Sequence, residues 1–122
     1  MEVTNPDIQQ ARIKQVLFKS QLRSVLYGVR TADPALFSVQ QNPFAVWVLT
    51  ILKPRYSAYP QVQQLEQVLQ QLLREGQQLV SQYQRGRIEE ARLGMSGFNL
   101  LTDRVDALLQ ELGASLAESN VE

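Results

Sequence analysis

Two stretches of this chain carry a seam of apolar or small side chains at alternating three- and four-residue steps, without a break. The first runs Val62, Leu65, Leu69, Leu72, Gly76, Leu79 and Tyr83; the second runs Ile88, Ala91, Met95, Phe98, Thr102, Val105, Leu109 and Leu112. Such spacing keeps one stripe of a helix facing a neighbouring helix. Arg85-Gly86-Arg87 separates the stretches, so the sequence predicts two helices joined by a tight turn. Val68, Leu73, Leu101 and Leu108 widen both stripes beyond what one partner covers. Further helices must cover them, which predicts an all-α, antiparallel four-helix bundle.

The remainder of the chain supplies those helices. Asn5-Pro6-Asp7 is a helix start, with a capping residue, a proline at the first helical position and an acid in the first turn. Ile8, Ala11, Ile13, Val16, Leu17, Leu22, Val25 and Leu26 read as a broad apolar stripe, and Gly28 is a natural stop. The first helix is therefore expected over about 6–27. In the connector that follows, Asp33-Pro34 predicts a short extra helical turn carrying Leu36 and Phe37. Asn42-Pro43 opens a second helix, apolar on nearly every side from Phe44 to about Leu52, with Pro54 expected to end it. A helix of that kind is enclosed by the fold or covered by a partner. Pro60 opens the third helix, whose many glutamines read as a solvated face. Gly113 is expected just past the end of the fourth helix, and the polar tail from about Ala114 to fray. The whole chain, 1–122, reads as one domain with its core over about 6–112.

Interior glycines cost about 1 kcal/mol relative to alanine, so Gly76, Gly94 and Gly97 need an offset. Close helix approach around Met95 and Phe98 is one. Space for a ligand, or a bend that moves when one binds, is the other.

Composition narrows the chemistry. The chain has no cysteine and no histidine, which removes the usual zinc ligands, the thiol nucleophile and the acid/base of neutral pH. Phosphate-binding, dinucleotide and nucleophile-elbow motifs are absent. Glu89 and Glu90 are adjacent and diverge on a helix, while Asp103 and Asp106 read as surface. The expectation is a protein that is not an enzyme and has no cofactor. The net charge is zero, which argues against a nucleic-acid partner. The charge is segregated, however. Arg12, Lys14, Lys19, Arg23 and Arg30 stand against Glu2 and Asp7 early on; Asp103, Asp106, Glu111, Glu118 and Glu122 stand against Arg104 at the end. First and last helices packed side by side would account for this, and an acidic partner for the basic end is the other reading. The longest apolar run, Pro43 to Leu52, is about half a membrane span, so no membrane insertion and a cytoplasmic location are expected. Phe44, Trp47, Tyr56 and Tyr59 form an aromatic cluster that reads as core, as a dimer or partner interface, or as a small apolar pocket.

Specific residues resemble a known family. Gln15-Val16-Leu17-Phe18-Lys19 with Leu22 and Leu26-Tyr27-Gly28, then Asn42-Pro43-Phe44-Ala45-Val46-Trp47, then Tyr59-Pro60 with Leu65-Glu66, Leu69 and Leu73 are similar in order and separation to the chemoreceptor zinc-binding (CZB) domain. The similarity spans about Ile8 to Leu112. It implies a bacterial cytoplasmic four-helix bundle of signal transduction, found on chemoreceptors and diguanylate cyclases, often dimeric, with zinc held by three His and one Cys. Those four ligand positions fall here on Gln15, Asn42, Leu69 and Leu73, none of which favours zinc. The resemblance thus implies a zinc-less form, a non-catalytic regulatory or sensory domain of chemotaxis or cyclic-di-GMP signalling. Its partners are expected to be a second copy, giving a homodimer, and a signalling protein; segment 43–59 is the expected contact surface. The alternative is a small-ligand receptor with a pocket between helices near Gln15, Trp47, Leu69 and Met95. Metal analysis of the purified protein is expected to find no stoichiometric zinc; one zinc per chain would contradict the reading of the four positions.

Overall fold

The computed structural model describes residues 5–119, all-helical with no strand among them. Its elements are α1 (Pro6–Leu26), a 3-10 turn (Pro34–Phe37), α2 (Pro43–Trp47), a π-helical stretch (Val48–Leu52), α3 (Lys53–Tyr56), α4 (Pro60–Gln84), α5 (Ile88–Leu93) and α6 (Met95–Ser119). Glu2, Glu122 and the end of the polar tail lie outside the described residues.

Local chemistry explains the start and stop of α1. The Asn5 side-chain oxygen accepts the Asp7 and Ile8 amides at 2.8 and 3.4 Å, replacing partners that a first turn lacks. At the other end Gly28 takes φ +75, and the Val29 amide donates back to the Ser24 carbonyl at 2.9 Å. Arg92 adds a second stop: its Nε donates to the Leu26 carbonyl at 2.9 Å while its guanidinium lies 4.5 Å from the Tyr27 ring centre. A cation there opposes the negative end of the helix dipole.

The two seams are buried along most of their length, except at Ile88, which is exposed. Val62, Leu65, Leu69, Leu72, Gly76 and Leu79 are buried on α4, and Met95, Phe98, Thr102, Val105, Leu109 and Leu112 on α6. Close approach accounts for two of the glycines. A Cβ on Gly76 would stand 2.7 Å from Phe37 Cε1 and 3.5 Å from Phe98 Cε2, and one on Gly94 would run into Leu79 Cδ2. Gly97 faces open space instead. Around Gly76 the rings of Phe18, Phe37 and Phe98 gather edge to face, with Phe18 6.4 Å from Phe37 and 5.5 Å from Phe98. The 3-10 turn, capped by Asp33 accepting the Ala35 amide at 3.0 Å, delivers Phe37 to this cluster.

Four local expectations need correction. Pro54 does not end the second helix: helical structure continues through it to Tyr56. The widened turn over Val48–Leu52, in which the Lys53 amide reaches back to the Val48 carbonyl, makes room for a ring that an ordinary α-helix would press against the preceding turn. The fourth helix is not one piece, because a turn at Gly94 divides α5 from α6 where Leu79 presses in. Gly113 is no terminus; α6 runs on through it to Ser119 and buries Leu116, so the tail from Ala114 is helical as far as it is described. Finally, Ile13, Val16 and Leu17 are not core. The buried face of α1 is Ile8, Ala11, Gln15, Phe18, Leu22, Val25 and Leu26. A polar Gln15 holds the interior position while three aliphatics point away.

Substitution at the glycines separates contact from freedom. Gly76→Ala is expected to lower stability by about 1–3 kcal/mol through overpacking against the Phe37 ring. Gly97→Ala is expected to raise it by about 0.5–1 kcal/mol. Urea unfolding midpoints at equal slope check both signs.

Candidate functional site

Gln15, Asn42, Leu69 and Leu73 are all interior, at 2%, 0%, 1% and 7% exposure. Their environments differ. Gln15 Nε2 donates to the Thr102 carbonyl on α6 at 3.1 Å. The sequence left open whether Gln15 faces solvent or bonds near the middle segment; it is a bonding residue, and its partner lies on the last helix. Asn42 is the cap of α2: its Oδ1 accepts the Ala45 amide at 3.1 Å, and its Nδ2 donates to the Leu36 carbonyl. One side chain thereby starts a helix and fastens the 3-10 turn to it. Leu69 and Leu73, on α4, belong to the buried hydrophobic core. Each buried leucine contributes roughly 1.5–3 kcal/mol relative to exposure. Gln15 Nε2 and both polar atoms of Asn42 are bonded to backbone, and the leucines offer no donor atoms, so the four side chains do not make up a set of zinc ligands. Among the described residues no group of three or more acidic side chains could hold a metal ion.

The aromatic cluster divides between interior and surface. Phe44 is fully enclosed and Met95 is buried, so neither supplies surface to a partner. Trp47, Tyr56 and Tyr59 are half-buried against the core, and the Tyr56 and Tyr59 rings meet edge to face at 6.4 Å. The apolar second helix is enclosed chiefly by its own fold.

The polar centre that sequence reading missed is Asp7. Its carboxylate accepts the Tyr56 hydroxyl at 2.6 Å and the Arg55 guanidinium at 2.8 and 3.0 Å. Its backbone carbonyl accepts Trp47 Nε1 at 3.0 Å, and Lys14 Nζ lies 5.2 Å from the Trp47 ring centre. One acid in the first turn of α1 thus ties down the whole segment from Trp47 to Tyr56. The signal available in the sequence was only Asp7 as a first-turn acid, because its partners stand 48 and 49 residues away. Burial pushes the Asp7 carboxyl up, but the bonds from Tyr56 and Arg55 outweigh it and hold the group below its ordinary value. Tyr56 moves the other way, raised by burial and then by its bond to Asp7. A tyrosine so shifted stays protonated at neutral pH, and a carboxylate so held is a weak base. The arrangement suits a clamp and not acid–base catalysis.

Two shallow hollows flank the connector. One, about 180 Å³, is bordered by Val25, Arg30, Asp33, Leu36 and Gln41; the other, about 330 Å³, by Pro34, Phe37, Gln77, Val80 and Gln84. Neither is lined by Gln15, Trp47, Leu69 or Met95, the residues expected to border a ligand pocket. No helix among the described residues is long and apolar enough to cross a membrane. In comparison with known proteins, no family model matches the chain, and neither a curated protein nor a solved structure gives a significant match.

The clamp has a pH signature. A carboxyl whose folded pKa is depressed contributes stability above its unfolded pKa, near 4, and loses it as pH falls through the lower folded value. Asp7→Asn is therefore expected to lower stability at pH 7 and to flatten the decline of stability below about pH 4. Urea titrations from pH 2 to 7, read by Trp47 fluorescence, check this; parallel curves for the two proteins would contradict it.

Proposed function

We propose that this protein is a non-catalytic regulatory or sensory helical bundle, a CZB-like domain of bacterial signal transduction that has lost its zinc site and acts through protein–protein contact, including self-association. The observation that carries the reading is the interior setting of Gln15, Asn42, Leu69 and Leu73 together. Positions that correspond to a metal site in the resembled family are filled here by two amides bonded to backbone and two packed leucines. The antiparallel four-helix order belongs to the same reading. Its support is the sequence of contacts between α1 and the last helical hairpin: Gln15 with Thr102, Phe18 with Phe98 and Leu26 with Arg92, one series rising as the other falls.

Reconstruction tests the assignment of the four positions. A variant combining Gln15→His, Asn42→Cys, Leu69→His and Leu73→His is expected to bind one zinc and to gain thermal stability from it, because binding to the folded form alone stabilises by mass action. The unaltered chain is expected to show no shift with zinc. A folded variant that takes up no zinc would contradict the correspondence. For the unaltered chain, Leu69→Ala is expected to cost about 2–5 kcal/mol through the cavity it leaves, measured by urea unfolding with and without chelator, the two curves coinciding.

A further inference from the structure

The outward faces of α1 and α6 carry a second apolar pattern that the bundle does not use. On α1, Ile13, Val16 and Leu17 sit on adjacent turns; on α6, Leu100 is followed at seven-residue steps by Ala107 and Ala114, and Leu93 stands at the end of α5, before the turn at Gly94. The five large side chains are between 52% and 73% exposed. Large apolar side chains grouped on the outward face of a helix are unusual without a partner to cover them. Leu17 and Leu100 also share a level: the pairs Gln15–Thr102 and Phe18–Phe98 bracket them along the two helices.

Charge says what covers the stripe. Arg12, Lys19 and Arg23 outnumber Asp7 on α1, where Lys14 lies over the Trp47 ring, and Asp103, Asp106, Glu111 and Glu118 outnumber Arg104 on α6. Among the described residues no salt bridge joins these two sets within the chain; the ion pairs are Lys53–Glu66, Arg55–Asp7 and Arg87–Glu90. Each molecule therefore presents a basic apolar helix beside an acidic apolar one. A two-fold axis parallel to both helices lays α1 of each copy on α6 of the other, so that positive meets negative twice and Leu17 and Leu100 meet at one level. No other partner is self-complementary by construction.

We propose that the outward faces of α1 and α6, centred on Ile13, Val16 and Leu100, form the face on which a second copy of this chain docks. The proposal rests on the reading of the chain as a bundle that acts by protein contact, and it moves the contact away from segment 43–59.

Sedimentation velocity across a concentration series tests it. The unaltered chain is expected to dimerise, and more weakly at high salt, because the attraction between exposed charges is screened. Val16→Glu and Leu100→Arg, both at exposed positions, are expected to weaken association at least tenfold with unchanged helical circular dichroism. Arg12→Glu and Asp103→Arg are each expected to weaken it, and the double variant to recover much of the loss. A dimer indifferent to all four substitutions would overturn this face and leave self-association intact. A monomer at every concentration would overturn both, while the zinc reconstruction still judges the assignment of the four interior positions.

Discussion

The packing of side chains onto Gly76 of α4 and onto Gly94, ahead of α6, is the constraint on which the rest depends. A Cβ at Gly76 would meet the Phe37 ring, with Phe98 beside it, and one at Gly94 would meet the end of Leu79. Beside that packing, α1 lies with Phe18 against Phe98 and Gln15 bonded to the Thr102 carbonyl. The connector follows, because Phe37 must reach Gly76 while Asn42 holds the 3-10 turn to the next helix. Glycine weakens a helix intrinsically; here the loss is offset by an aromatic cluster that a larger residue would exclude.

Polar groups inside the frame act as fasteners. Gln15 and Asp7 each join segments distant in sequence, Asn42 fastens the neighbouring 3-10 turn to α2, and the two amides use backbone partners. A buried amide with satisfied donors specifies one arrangement, since any slip would leave it unpaired. Asp7 has the widest reach, gathering Trp47, Arg55 and Tyr56 onto the first turn of α1. Bonds of this kind fix positions.

Much of this was legible in the chain. The α4 and α6 seams, the Asn5 and Asn42 caps, the Asp33-Pro34 turn and the stop at Gly28 follow from spacing and capping rules that act within a few residues. The misses share a cause. Pro54 was tolerated because the backbone widened ahead of it, and Gly113 was tolerated because Leu116 still found core. Ile13, Val16 and Leu17 read as core because periodicity detects apolar stripes without saying which one faces inward. A glutamine took the interior position because Thr102, on a distant helix, offered a carbonyl. The Asp7 clamp was out of reach for the same reason.

The central claim is that packing alone, with no metal, holds the interior where Gln15, Leu69 and Leu73 lie. Native-state hydrogen exchange with and without chelator measures it most directly. The account predicts that amides of α4 and α6 around Leu69, Leu72, Phe98 and Thr102 exchange only through global unfolding and are indifferent to chelator. Rapid exchange confined to that level, or protection that chelator removes, would contradict it.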